Sequence, residues 1–163
     1  MLRLWRKILR TGRVAEPAPA HPYTTHAQRL ATADLAGSVQ VRHVDAGSCN
    51  GCEIEIGSAF GPVYDAERYG ARLVASPRHA DALLVTGPVT RNMAEPLRRT
   101  FDAVPGPKLV VAVGDCARNC GVFAGAYGVA GAVKDVVPVD VEVAGCPPRP
   151  EEIVAALRGL TGR

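Results

Sequence analysis

Lys108-Leu109-Val110-Val111-Ala112-Val113-Gly114-Asp115-Cys116 is the stretch on which the fold turns. Five consecutive apolar residues, three of them β-branched, suit a strand buried on both faces, and such strands belong to parallel sheets covered by helices. Gly114-Asp115 ends the run, and a cysteine follows at once. The same order recurs on either side. Val39-Gln40-Val41-Arg42-His43-Val44 alternates as a strand and leads into Gly47-Ser48-Cys49-Asn50-Gly51-Cys52, while Val136 to Val143 reads as the last strand and leads into Gly145-Cys146-Pro147-Pro148. Ala82-Leu83-Leu84-Val85-Thr86 is a further apolar run stopped by Gly87-Pro88, and Arg72-Leu73-Val74-Ala75 is a short one ended by Ser76-Pro77. Between them, Glu53 to Tyr69 is helical in part with a break near Gly61-Pro62. Arg91 to Ala103 reads as a helix with Pro96 early in it, and Glu151 to Leu160 as a closing helix with acids in its first turn. Strands alternating with helices predict a flavodoxin-like, doubly wound α/β sheet, whose ligand lies beyond the carboxyl ends of the strands. Cys49, Cys52, Cys116 and Cys146 all fall there.

Four thiolates meeting at one end of a sheet describe a metal centre. Zinc commonly takes four cysteines, and Cys49-x2-Cys52 has the spacing of half a zinc ribbon. Structural zinc sites, however, pair two compact knuckles in domains that lack a core, whereas these ligands come from scattered loops of a chain with ample apolar content. An iron-sulfur cubane is larger, accepts ligands from separate loops and needs the close backbone approach that Gly and Pro permit. A redox dithiol of Cys49 and Cys52 would leave Cys116 and Cys146 without a role. Cys120, four residues after Cys116, could compete as a ligand or be a spare buried thiol near the site.

The chain has 163 residues, 47% of them hydrophobic, with mean hydropathy +0.06, ordinary for one globular domain. Five cysteines without a secretory signal argue for reduced thiols rather than a disulfide framework. No apolar run approaches the ~20 residues needed to cross a bilayer. Arg98-Arg99 is interior and lacks the setting of a twin-arginine signal. Arg3, Arg6, Lys7, Arg10 and Arg13 give the first 13 residues +5, and all 16 acidic residues lie beyond them, so the remainder carries about −2. Nothing in that balance describes a nucleic-acid-binding face. Residues 1–13 read as a basic amphipathic helix, with Leu2, Leu4, Trp5, Ile8 and Leu9 facing away from most of the cations. Such a helix can lie at an anionic membrane surface, dock on a partner, or be a frayed terminus. Residues 14–37, with Pro17, Pro19 and Pro22, read as a linker, and 38–163 as the cluster-binding α/β domain.

The motifs from Val44 to Ile56, Ser76-Pro77-Arg78-His79-Ala80-Asp81, Gly114-Asp115-Cys116-Ala117 and Gly145-Cys146-Pro147-Pro148-Arg149-Pro150 resemble the small subunit of membrane-bound, energy-converting nickel-iron hydrogenases of the formate hydrogenlyase type. That family is related to the NADH-quinone oxidoreductase subunit that carries the last iron-sulfur cluster before quinone. The resemblance implies an oxidoreductase subunit in which Cys49, Cys52, Cys116 and Cys146 ligate one 4Fe-4S cluster, and which passes electrons without catalysing bond chemistry itself. It implies as partners a nickel-iron-type large subunit, a ferredoxin-like iron-sulfur subunit and integral membrane subunits, with the chain peripheral on the cytoplasmic side of the membrane. The relatives in NADH-quinone oxidoreductase carry two adjacent cysteines in the first motif, so the two-residue spacing here favours the hydrogenase side. Where the family often has paired glycines after the third ligand, this chain has Cys120-Gly121.

Glu55 and Arg78 match family motif positions and are possible supporting residues of the cluster, Glu55 for proton-coupled transfer and Arg78 for its potential or the large-subunit contact. Glu55 also reads as an acid placed by the helix dipole, and His79 and His43 as structural histidines. Two alternatives stand beside this reading, the cluster-bearing subunit of a quinone-reducing oxidoreductase and a zinc-stabilised assembly subunit.

Overall fold

The computed structural model describes residues 2–12 and 37–163; the expected linker falls almost wholly outside them. Strands β1 (Val39–Asp45), β2 (Ala71–Leu73), β3 (Ala82–Thr86), β5 (Leu109–Val113) and β7 (Val141–Val143) form one sheet in the order β2-β1-β3-β5-β7. All its pairings are parallel. Counted among themselves, the five strands run 2-1-3-4-5, the flavodoxin-like order with its switch point between β1 and β3. A two-stranded antiparallel ribbon, β4 (Val89–Thr90) with β6 (Val129–Gly131), stands apart from the sheet.

Helices cover both faces because the strands are apolar on both. On one side Val39, Val41, Leu84, Val111, Val113 and Val143 pack with Cys52 and Ile56 of α2 (Gly51–Ala59) and with Ile153, Leu157 and Leu160 of α5 (Pro150–Thr161). On the other, Val44, Leu83, Val85, Val110 and Ala112 pack with Leu97 of α3 (Arg91–Ala103) and Ala117 of the short α4 (Asp115–Asn119). α3 has the bounds its sequence predicts. The last strand is shorter than expected, because Val133–Asp135 takes a 3₁₀ turn and Pro138 has no N–H to give a ladder. The Asp135 carboxylate fixes that turn by accepting from the Ala132 N–H at 2.8 Å.

The register decides where the site lies. Asp45 pairs with Thr86, Thr86 with Val113, and Val113 with Val143, so four strands end on one level. Their outgoing loops therefore leave the sheet side by side. The remaining described helix, α1 (Leu2–Thr11), buries none of its residues and ends at Gly12, whose N–H reaches Ile8 O at 3.0 Å. No described helix is long and apolar enough to cross a membrane.

Candidate metal centre

Each cysteine-bearing loop is built by short local bonds. After β1, the Asp45 carboxylate accepts from the N–H groups of Gly47 and Ser48, both at 2.8 Å, which curls the chain back over the strand end. The Ser48 hydroxyl accepts from Asn50 N at 3.0 Å, and Asn50, in the left-handed conformation at φ 70°, starts α2 with Cys52 in its first turn. After β5, Gly114 N donates to Val143 O and Asp115 N to Gly145 O, both at 2.8 Å, while the Asp115 carboxylate accepts from Gly145 N at 3.1 Å. The loop of Cys116 is thereby lashed to the loop of Cys146. Arg118 braces the pair, reaching Asp115 and Glu142 at 3.1 Å each.

Cys49, Cys52, Cys116 and Cys146 line one cavity of about 120 Å³, together with Ser48, Gly87 and Pro147. Cys120 is not in that lining. It sits half-buried in the left-handed conformation at the end of α4, φ 66°, where Asp135 and Lys134 bear on it electrostatically and it bears in turn on Cys116. Two glycines make the cavity possible. A Cβ on Gly114, φ 89°, would stand 2.7 Å from Cys52 Sγ, and one on Gly87, φ 74°, would stand 2.4 Å from Ser48 N. Any side chain at either position would displace the loops that carry sulfur.

The donor set fits a cationic, sulfur-bound group. Burial pushes the Cys52 thiol up to about 12, and the negative charges of Glu53, Cys116, Cys49 and Cys146 push it the same way. Burial also raises Cys116, followed by Cys146 and Cys49. Left to themselves the Cys52 and Cys116 thiols hold their protons more tightly than free ones, and a bound cationic group would be what keeps them as thiolates. A tetrahedral zinc ion would draw its sulfurs to within about 3.8 Å of one another, by its 2.3 Å bonds. Among the described residues no three His, Cys, Asp or Glu side chains are grouped to hold one metal ion, while four cysteines share the lining of one cavity.

Beneath the cavity lies a polar group that sequence reasoning passed over. Glu53, in the first turn of α2, accepts from the hydroxyls of Ser48 and Thr86, and His43 Nε2 stands 3.5 Å from it. Thr86 is fully buried, and His43 Nε2 is 3.0 Å from its hydroxyl oxygen. Burial lowers the affinity of His43 for a proton despite the nearby Glu53 and Asp45 carboxylates. The contact is therefore a hydrogen-bonded relay of neutral imidazole, hydroxyl and carboxylate rather than an ion pair at neutral pH. The predicted supporting residues lie elsewhere. Glu55 is absent from the cavity lining and bears electrostatically on Tyr64, which also faces Glu151. Arg78 and His79 are exposed on a 3₁₀ turn (Pro77–His79) that leads into the amino end of β3, whereas the cysteines follow carboxyl ends.

Known proteins share this arrangement of sequence. A probable membrane-bound hydrogenase subunit, mbhJ, of Pyrococcus furiosus is 52% identical over 120 residues, covering 74% of this chain and 72% of its own length. Formate hydrogenlyase subunit 7 of Escherichia coli is 50% identical over 113 residues, which is 69% of this chain and 44% of that protein. Among solved structures, a chain of the archaeal membrane-bound sulfane sulfur reductase superposes with a TM-score of 0.69 at 34% identity, covering 82% of this chain and 73% of that one. Residues 49–160 match the family described as NADH ubiquinone oxidoreductase, 20 Kd subunit. With the match spanning more than half of the sequence and relatives this similar, the chain belongs to that family.

Proposed function

We propose that this chain is a peripheral, electron-relaying subunit of a membrane-associated hydrogenase complex, holding one 4Fe-4S cluster on Cys49, Cys52, Cys116 and Cys146. The observation that carries the reading is that cysteines from three separate strand ends line one cavity, with glycine where a side chain would collide. Bound there, such a cluster supplies one-electron transfer at a potential set by charge, burial and hydrogen bonds to sulfur. The chain's own residues do the rest. The Asp45 and Asp115 bonds hold the loops at fixed spacing, the buried wall at Cys52 limits water, and the Glu53 carboxylate places negative charge beside the ligands.

Membership of hydrogenase and sulfur-reductase complexes among the similar proteins supports a large subunit of nickel-iron type, a ferredoxin-like subunit and integral membrane subunits as partners, with this chain on the cytoplasmic side. The two-residue spacing of Cys49 and Cys52 favours that assignment over the corresponding subunit of a quinone-reducing complex.

Iron and acid-labile sulfide analysis of the anaerobically purified chain tests the cofactor, and ligand replacement tests the set. Four of each per chain are expected, with Cys116→Ser abolishing the reduced-state paramagnetic signal and Cys120→Ser sparing it. Zinc in place of iron, or equal loss in both variants, would overturn the assignment.

A further inference from the structure

α1 has the chemistry of a membrane-surface anchor, and we infer that it lies on an anionic lipid leaflet. The inference deepens the membrane-peripheral reading above and rests on it for its setting. Projected down the helix axis, Leu4, Ile8, Trp5, Leu9 and Leu2 fill one arc of roughly 160°, and Arg6, Arg10, Arg3 and Lys7 fill an opposing arc of roughly 100°. The five apolar side chains are each between 53% and 77% exposed, and no part of the described fold covers them.

Two features select lipid over a protein groove, and a third sets the helix apart from a coiled-coil seam. Such a seam takes about two residues in seven, whereas half of this ten-residue helix is large and apolar. The polar face carries four cations and the helix has no acid, which matches a surface of one sign rather than the mixed charges of a protein rim. Trp5 sits within the apolar arc, and indole rings favour the headgroup boundary. Four cations among ten residues do not cross a bilayer core, so the helix lies in the plane of the leaflet. The positive charge of the molecule is concentrated here, since the sequence beyond residue 13 is net negative.

Trp5 is the sole tryptophan, so its emission reports on α1 alone. The cluster-loaded full chain is titrated with vesicles of phosphatidylglycerol and, separately, of phosphatidylcholine. Anionic vesicles should shift Trp5 emission to the blue and carry the protein into the pellet, with raised salt reversing both. Replacing Arg3 and Arg6 by Gln should weaken that binding roughly thirtyfold, from the attraction of each basic residue for an anionic leaflet. Leu9→Glu should abolish it while circular dichroism of the domain stays unchanged. Absence of binding to phosphatidylglycerol, or equal binding to both lipids with the Arg3 and Arg6 replacements without effect, would overturn the inference. So would a Trp5 shift produced only by detergent-solubilised partner subunits. Iron content is measured on the same samples: intact iron without vesicle binding defeats only this inference, and vesicle binding without iron defeats only the relay.

Discussion

The hydroxyl of Thr86, fully buried at the end of β3, lies between His43 and the Glu53 carboxylate, and Ser48 donates to that carboxylate from the loop of Cys49. Glu53→Ala leaves two hydroxyls without their acceptor and should cost about 1–3 kcal/mol in denaturant unfolding, whereas Glu53→Gln, which keeps an acceptor oxygen, should cost less. Equal losses would show that the hydrogen bonds contribute nothing. The four cysteines were legible in the sequence because each follows an apolar run at a Gly- or Pro-bearing turn, and the structure brings all four to one cavity. Glu53 was not. Two residues apart on a helix lie about 200° apart around its axis, so Glu53 and Glu55 face opposite ways, and only the docking of α2 through Cys52, Ile56 and Ala59 decides which meets β3.

At the scale of elements, α3 shows how much one contact can hold. Leu97 is its only buried residue and is fully enclosed against the sheet. Leu97→Ala should destabilise the fold by about 2–5 kcal/mol, while Arg99→Ala, which breaks an exposed pair with Glu95, should change stability by less than about 0.5 kcal/mol; chemical denaturation of both variants separates the two. The helix was readable because Gly87-Pro88 stops the preceding apolar run just before it. The β4-β6 ribbon left no periodic signal, since strands of two and three residues are fixed by a distant partner rather than by their own pattern. The 136–140 portion of the predicted last strand failed for the opposite reason, its β propensity being overruled by Pro138 and the Asp135 turn.

For the whole molecule, burial of one ionisable side chain becomes a pH dependence of stability. His43 binds a proton less readily in the fold than at its ordinary value of 6.5. Above that value both folded and unfolded chains hold it neutral, and it contributes no pH dependence. As pH falls through 6.5 the unfolded chain takes the proton first, so stability declines until the lower folded value is passed. Wild type should therefore lose stability relative to His43→Gln below about pH 6.5, with the difference between them flat above about pH 7.5; a difference that does not vary with pH would remove His43 from the balance. The common level at which β1, β3, β5 and β7 end has one more effect. The sulfur-bearing wall draws on residues from 49 to 146, and the Asp115–Gly145 lash forms only when β7, near the end of the chain, has docked on β5. The four-cysteine wall is therefore complete only in a nearly finished sheet, and a chain truncated before β7 would lack both Cys146 and the Asp115–Gly145 lash.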